Sequence, residues 1–224
     1  MNFDVLTLFP ELISYITDSS IIGRAKKSGL INVRTHDIRD FSNDKHRRVD
    51  DTPYGGGKGM LMAAPPIYDC YENVRKTTEG SCRCVYMSPQ GKILTQRHAA
   101  ELLDFDNLII LCGHYEGIDR RVIDEIVDEE ISVGDYVLTG GELPACILID
   151  VMARMIDGVL AAPECFEKES IMSGELEYPQ YTRPLVFHGV EVPKVLQNGN
   201  HAEIENWRKR ASLELTKKNR PDLV

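Results

Sequence analysis

The residues of this chain whose types and spacing could support chemistry lie in three short glycine-containing stretches. They are Ser88-Pro89-Gln90-Gly91, Gly113-His114-Tyr115-Glu116-Gly117 and Gly134-Asp135-Tyr136-Val137-Leu138-Thr139-Gly140-Gly141. Each follows a run that reads as a β-strand: Cys84–Met87, Leu108–Cys112 and Glu130–Val133. In an open α/β sheet, ligands bind at the carboxyl ends of the strands, so three such loops on successive strands should converge on one site. Any one of them alone would be an ordinary glycine turn. The loops are rich in backbone amides and carry carboxylates, but few cations: only His114 and neighbours such as Lys92. Neither G-x-G-x-x-G nor the phosphate loop G-x-x-x-x-G-K-[S/T] occurs; in Gly55-Gly56-Gly57-Lys58-Gly59 the lysine is followed by glycine. Nucleotide triphosphates and nicotinamide cofactors are therefore poor candidates. A ligand that is itself cationic suits the cluster better.

A fourth constellation is Arg154, on a long apolar helix, with Glu169-Ser170 in the stretch that follows. An arginine among Val151, Met152, Met155 and Ile156 must find a partner or reach solvent. Structural pairing is the ordinary outcome for such a residue.

The elements that position these residues alternate between strand and helix. Asn2 to Leu8 reads as a buried strand with Pro10 opening a helix, and Leu30 to Thr35 alternates as a second strand. A polar stretch from Asp40 to Asp51 leads into the glycine loop 55–59. Pro66 to Val74 is predicted helical, and Thr95 should cap a helix to about Leu103. The uninterrupted run Leu108–Cys112 is typical of a central parallel strand. A helix from about Asp119 and a long one from Pro144 to Met155 complete an α/β domain with a mostly parallel sheet over residues 1–157. Residues 158–174 lack periodicity and read as a mobile linker. Residues 175–224 end in a helix from about His201 to Lys218, a second, smaller, mainly helical domain.

Composition narrows the function classes. The 224 residues, 42% hydrophobic and 27% charged, are those of an ordinary globular protein. No apolar run approaches the roughly 20 residues that span a bilayer, and no signal peptide is readable, so a cytoplasmic protein without membrane contact is expected. The six cysteines, including Cys82-x-Cys84, lack zinc-finger spacing and read as core thiols; no metal site is expected. A net charge of −9 argues against a protein that coats nucleic acid nonspecifically. The charge is nevertheless segregated. His46-Arg47-Arg48 is one basic cluster, and Arg208, Lys209 and Arg210 open another that runs to Arg220. Such local basic faces suit a specific docking surface, or are simply solvated.

Taken together, the loops resemble the bacterial tRNA (guanine-N1)-methyltransferase family. The likeness rests on His46-Arg47-Arg48-Val49-Asp50-Asp51-Thr52-Pro53-Tyr54-Gly55-Gly56-Gly57, on Ser88–Gly91, on Gly113–Asp119 and on Ser132–Glu142. It continues through Tyr178–Pro184, Val190–Pro193 and Gly199–His201, nearly the whole chain. Each motif is weak by itself; their order and spacing are specific.

The resemblance implies a deep trefoil knot near residues 86–140, rare in folds. It implies a homodimer with each active site built from both subunits. It also implies S-adenosylmethionine as methyl donor, whose sulfonium agrees with the phosphate-poor loops. Cofactor contacts carry over onto Tyr86, Ser88, Pro89, Gly113, Gly134, Tyr136, Leu138, Gly140, Gly141 and Pro144, with Glu116 near the methionine end and the target base. The substrate would be tRNA, methylated at N1 of the guanosine 3′ of the anticodon, position 37. Family roles fall on Arg154, facing charge at guanine O6, and on a linker carboxylate as general base. The family's Asp is Glu169 here, one methylene longer. His46, Arg47, Arg48, Arg208, Lys209 and Arg210 would touch RNA. Family members need magnesium, which no ligand spacing here suggests. Two alternatives are a noncatalytic RNA-binding protein with this fold and a knotted methyltransferase with another RNA target. The intact loops and Arg154 disfavour the first, and the C-terminal segment disfavours the second.

Overall fold

A computed structural model describes residues 1–161, 170–171 and 174–224. They fall into two compact units, divided between Ala161 and Ala162. The first is built on five parallel strands: β1 (Asn2–Thr7), β2 (Asn32–Asp37), β5 (Cys82–Ile93), β6 (Asn107–Cys112) and β7 (Glu129–Ser132). Their spatial order is β2-β1-β6-β5-β7, so the apolar run Leu108–Cys112 lies in the central strand, buried at every position. Two-residue strands β3 (Asp50–Asp51) and β4 (Leu61–Met62) pair antiparallel and close the glycine-rich segment between them.

Alternation along the strands divides the core into two layers. Phe3, Val5, Val85, Met87, Leu108 and Ile110 face one side. There they meet α1 (Pro10–Thr17), α2 (Ser20–Lys27) and α6 (Glu142–Ala153) through Ile13, Ile22, Leu148, Ile149 and Met152. Leu6, Cys84, Tyr86, Ile109 and Leu111 face the other side. They pack on Ile67 and Val74 of α3 (Ala64–Thr77) and on Val122 and Ile126 of α5 (Arg120–Ile126). Thr95 caps α4 (Gln96–Glu101) by accepting from the His98 amide at 3.1 Å, and Asp119 caps α5 in the same way from Arg121 at 2.9 Å. Cys84 is buried among these side chains, and burial first, then the Asp128 charge, pushes its thiol far up.

Two elements differ from expectation. The strand carrying Met87 does not end at Ser88. Met87 and Lys92 both pair with Ile131, so residues 88–91 are an insertion in a strand that resumes and runs to Ile93. Helix α6 starts at Glu142, two residues before Pro144, and stops at Ala153, which leaves Arg154 as its C-cap.

The second unit is organised on the helix His201–Asn219, capped by Asn200. Thr216, fully buried, accepts from the Leu176 amide at 2.8 Å, and Ser212 bonds the Leu176 carbonyl. These bonds hold the segment leading to Tyr178–Pro184 along the helix. A hairpin of β8 (Val186–Phe187) and β9 (Val190–Glu191) follows. Most of the expected linker, including Glu169, lies outside the described residues.

Candidate active site

The three glycine stretches, the insertion within β5 and the loops at the carboxyl ends of β6 and β7, meet around an open cavity of about 430 Å³. Gly113, Gly117, Gly140 and Gly141 are part of its wall, and at Gly113 and Gly141 glycine is what permits the close approach. The Gly141 amide donates to the Gly113 carbonyl at 2.9 Å. A Cβ on Gly141 would lie 2.8 Å from the Cys112 α-carbon, against main chain that cannot yield. A Cβ on Gly113 would lie 2.6 Å from the Tyr86 hydroxyl oxygen. Burial raises the Tyr86 phenol to about 12, with the Glu130 charge adding to the effect.

Of the residues expected to hold a cofactor, Tyr86, Ser88, Pro89, Gly113, Tyr136, Leu138, Gly140, Gly141 and Pro144 line this cavity, and so does Glu116. Gly134 does not. It stands beside the wall with the Tyr136 ring folded over it, and its carbonyl accepts from the Tyr136 amide at 2.9 Å.

The cavity carries more charge than its loops suggest. Arg120 and Glu130 also line it, paired at 2.9 Å, and Arg120 bonds Asp124 as well. His114 turns its Nδ1 into a buried position where no described residue bonds it. Its ring rests between Phe9 and Tyr115. Behind Gly140, the buried carboxylate of Glu142 accepts from the Thr7 hydroxyl at 2.8 Å.

The glycine-rich segment before β4 joins the same wall. The Glu116 amide donates to the Met60 carbonyl at 3.0 Å, and the Met62 amide to the Gly117 carbonyl at 2.9 Å. Gly59, at φ +89°, lies directly against the Glu116 side chain. Its missing Cβ gives that carboxylate its place.

A family profile described as tRNA (Guanine-1)-methyltransferase TrmD matches residues 1–224. The chain belongs to this family. The tRNA (guanine-N(1)-)-methyltransferase of Ruminiclostridium cellulolyticum is 56% identical over 223 residues, covering 100% of this chain and 96% of that relative. Those of Lachnospira eligens and Clostridioides difficile are 56% and 51% identical. Each covers 100% of this chain, and the matches span 94% and 97% of the relatives' own lengths.

The other residues to which the methyltransferase resemblance gives roles are spread more widely. Arg154 closes α6 at the end opposite Gly141. Arg47 adopts a left-handed backbone and pairs with Asp37 and Asp40, while Arg48 lies 4.0 Å from Asp44. Both arginines of that basic cluster thus already have carboxylate partners; His46 is exposed. In the second unit, Arg208 lies over the Tyr178 ring at 4.9 Å and bonds Glu205 at 2.7 Å. Lys209 and Arg210 are exposed. Consecutive helical residues diverge by about 100°, so 208–210 is not a single face. Arg208 fastens the Tyr178 segment, and the two that follow reach solvent.

Proposed function

We propose that this chain transfers the methyl group of S-adenosylmethionine to N1 of the guanosine immediately 3′ of the anticodon, position 37, in tRNA. The observation that carries the reading is the cavity where the three glycine loops meet, in a chain belonging to the tRNA (guanine-1)-methyltransferase family. The residues fit the cofactor. Gly113, Gly140 and Gly141 leave a cradle that side chains would fill, His114 Nδ1 is buried without a hydrogen-bond partner among the described residues, and Glu116 suits a cation. Tyr86, Ser88, Pro89, Leu138 and Pro144 would complete the wall, and Gly134 would set the Tyr136 ring. When bound there, the cofactor supplies a methyl group on a positively charged sulfur.

The protein's part is to make guanine N1 nucleophilic. N1 carries a proton, and as it leaves, negative charge moves to O6. A base near N1 and a cation near O6 are required. Glu169 takes the proton and Arg154 faces O6, while Glu116, fixed by Gly59, borders the base. Helix α6 has twelve residues and spans about 18 Å. Arg154 therefore stands far from the cavity of its own chain, which supports an active site shared between two subunits. An apolar surface where α1 and α6 pack together supports the homodimer: Leu12, Tyr15, Ile16, Leu143 and Ile147 are all exposed there.

The return of the chain from β7 to lay Gly141 against Cys112 and Gly113 supports the trefoil knot. The 175–224 domain would dock tRNA through Lys209 and Arg210, with His46, Arg47 and Arg48 exchanging carboxylates for phosphates, and the base would be flipped out for transfer. The reading places the protein with its substrate in the cytoplasm. No helix among the described residues is long and apolar enough to cross a membrane. Among the described residues, no three His, Cys, Asp or Glu side chains stand together as a ready metal cage.

The test is a methyl-acceptor assay with labelled cofactor and tRNA transcripts differing only at position 37. Guanosine there should accept label and adenosine should not. Equal labelling of both would overturn the proposed target.

A further inference from the structure

Glu142 is a buried carboxylate that the mechanism above does not use. Only 3% of it is exposed, and among the described residues it forms no ion pair; its hydrogen-bond donor is Thr7, itself fully buried. Thr7 is held in turn by the Phe9 amide at 2.9 Å. A charge so placed is costly unless it offsets something. Part of the offset is local, since Glu142 is the first residue of α6 and faces the positive end of that helix.

Its position relative to the cavity supplies the rest. A Cβ on Gly140 would lie 2.4 Å from Glu142 Oε2 and 2.6 Å from His114 Nδ1, so the carboxylate and the ring crowd one point behind a cavity-lining glycine. Of the two carboxylates that line the cavity, Glu130 is paired with Arg120 and Glu116 is exposed. Glu142 differs from both: among the described residues it is paired with no cation, and it is not open to solvent. A charge in a low-dielectric wall acts over longer range than one in water and is little screened by salt.

We infer that Glu142 is a specificity-determining residue, whose buried charge makes the cavity prefer the cationic methyl donor over its neutral demethylated product. This rests on the cofactor reading above. Methyl transfer turns a sulfonium into a thioether, and the ligand loses one positive charge. The attraction of Glu142 is present before transfer and gone after it, which favours release of spent cofactor. Without Glu142, the positive end of α6 would oppose a cation in the cavity.

Calorimetric titration with S-adenosylmethionine and with S-adenosylhomocysteine separates this role from a structural one. Glu142→Gln keeps the size and can still accept from Thr7, but removes the charge. It should lower the preference for the cationic ligand on the order of tenfold, chiefly by weakening S-adenosylmethionine. Glu142→Asp and Thr7→Val keep the charge and should keep the preference, whatever they do to both affinities together. A Glu142→Gln protein that loses both affinities in proportion, or neither, overturns the inference. Wild-type protein that binds neither ligand overturns the cofactor reading itself, and the inference with it. The wild type gives a second measurement that needs no variant to fold. Preference set by a buried charge should persist at about 1 M salt; collapse toward equal affinities would assign it to exposed Glu116 instead.

Discussion

At the scale of single residues, the site depends as much on missing atoms as on present ones. Gly141 has an ordinary negative φ of −81°, so a larger residue there would suffer from crowding alone. Its neighbours are the Cys112 α-carbon and the Gly113 nitrogen, at 2.8 and 3.0 Å from where a Cβ would stand. Gly141→Val should therefore lose S-adenosylmethionine binding by calorimetry while the fold, read by circular dichroism, persists; unchanged affinity would remove this loop from the site. A different residue-scale balance operates at Asp4, buried in β1. Burial alone would push its carboxyl up, but hydrogen bonds from His36 at 2.8 Å and from Arg34 at 2.8 and 2.7 Å outweigh it and hold it below the usual range. A carboxyl depressed in the folded state adds stability above its unfolded pKa, and that stability is lost as pH falls through the folded value. Asp4→Asn should thus melt below wild type at neutral pH, with the gap closing as both are acidified toward pH 3. A gap independent of pH would show that Asp4 contributes shape rather than charge.

At the scale of elements, what matters is which end of a strand or helix each group occupies. The three loops are legible in the sequence because glycine after an apolar run is a local signal, and Leu108–Cys112 announces a central strand by being apolar throughout. The insertion at 88–91 is not legible. It depends on Met87 and Lys92 sharing Ile131, a partner about forty positions further along the chain. The Arg120–Glu130 pair at the cavity is hidden for a similar reason, since its members belong to α5 and β7. The charges of Arg47 and Arg208 are readable, but their commitments to Asp40 and Tyr178 come only with the fold. Helix α6 carries the sharpest consequence. It separates Arg154 from Gly141 by its full length, so the two should fail differently when changed. Arg154→Ala should lower kcat on the order of 100-fold or more while cofactor affinity holds. A loss confined to KM for tRNA would make Arg154 a docking residue. Glu169→Gln should likewise nearly abolish single-turnover transfer near neutral pH and recover partly as N1 ionises at high pH. Wild-type rates in that variant would pass the base role to another group, Glu116 first.

At the scale of the whole molecule, the role proposed for Arg154 and its separation from its own cavity by the length of α6 call for two chains acting together, and this can be tested. A mixture of Arg154→Ala subunits with Gly141→Val subunits should form heterodimers with one intact site, and recover activity that neither variant has alone. Absence of any recovery in verified heterodimers would mean that each chain completes its own site. The chemistry itself is tested most directly by identifying the nucleoside made. Unmodified tRNA incubated with the protein and isotopically labelled S-adenosylmethionine, then digested and resolved by mass spectrometry, should yield labelled 1-methylguanosine as the new product. Label in a ribose-methylated nucleoside, in a methylated uridine, or in no nucleoside at all would contradict methyl transfer to guanine N1.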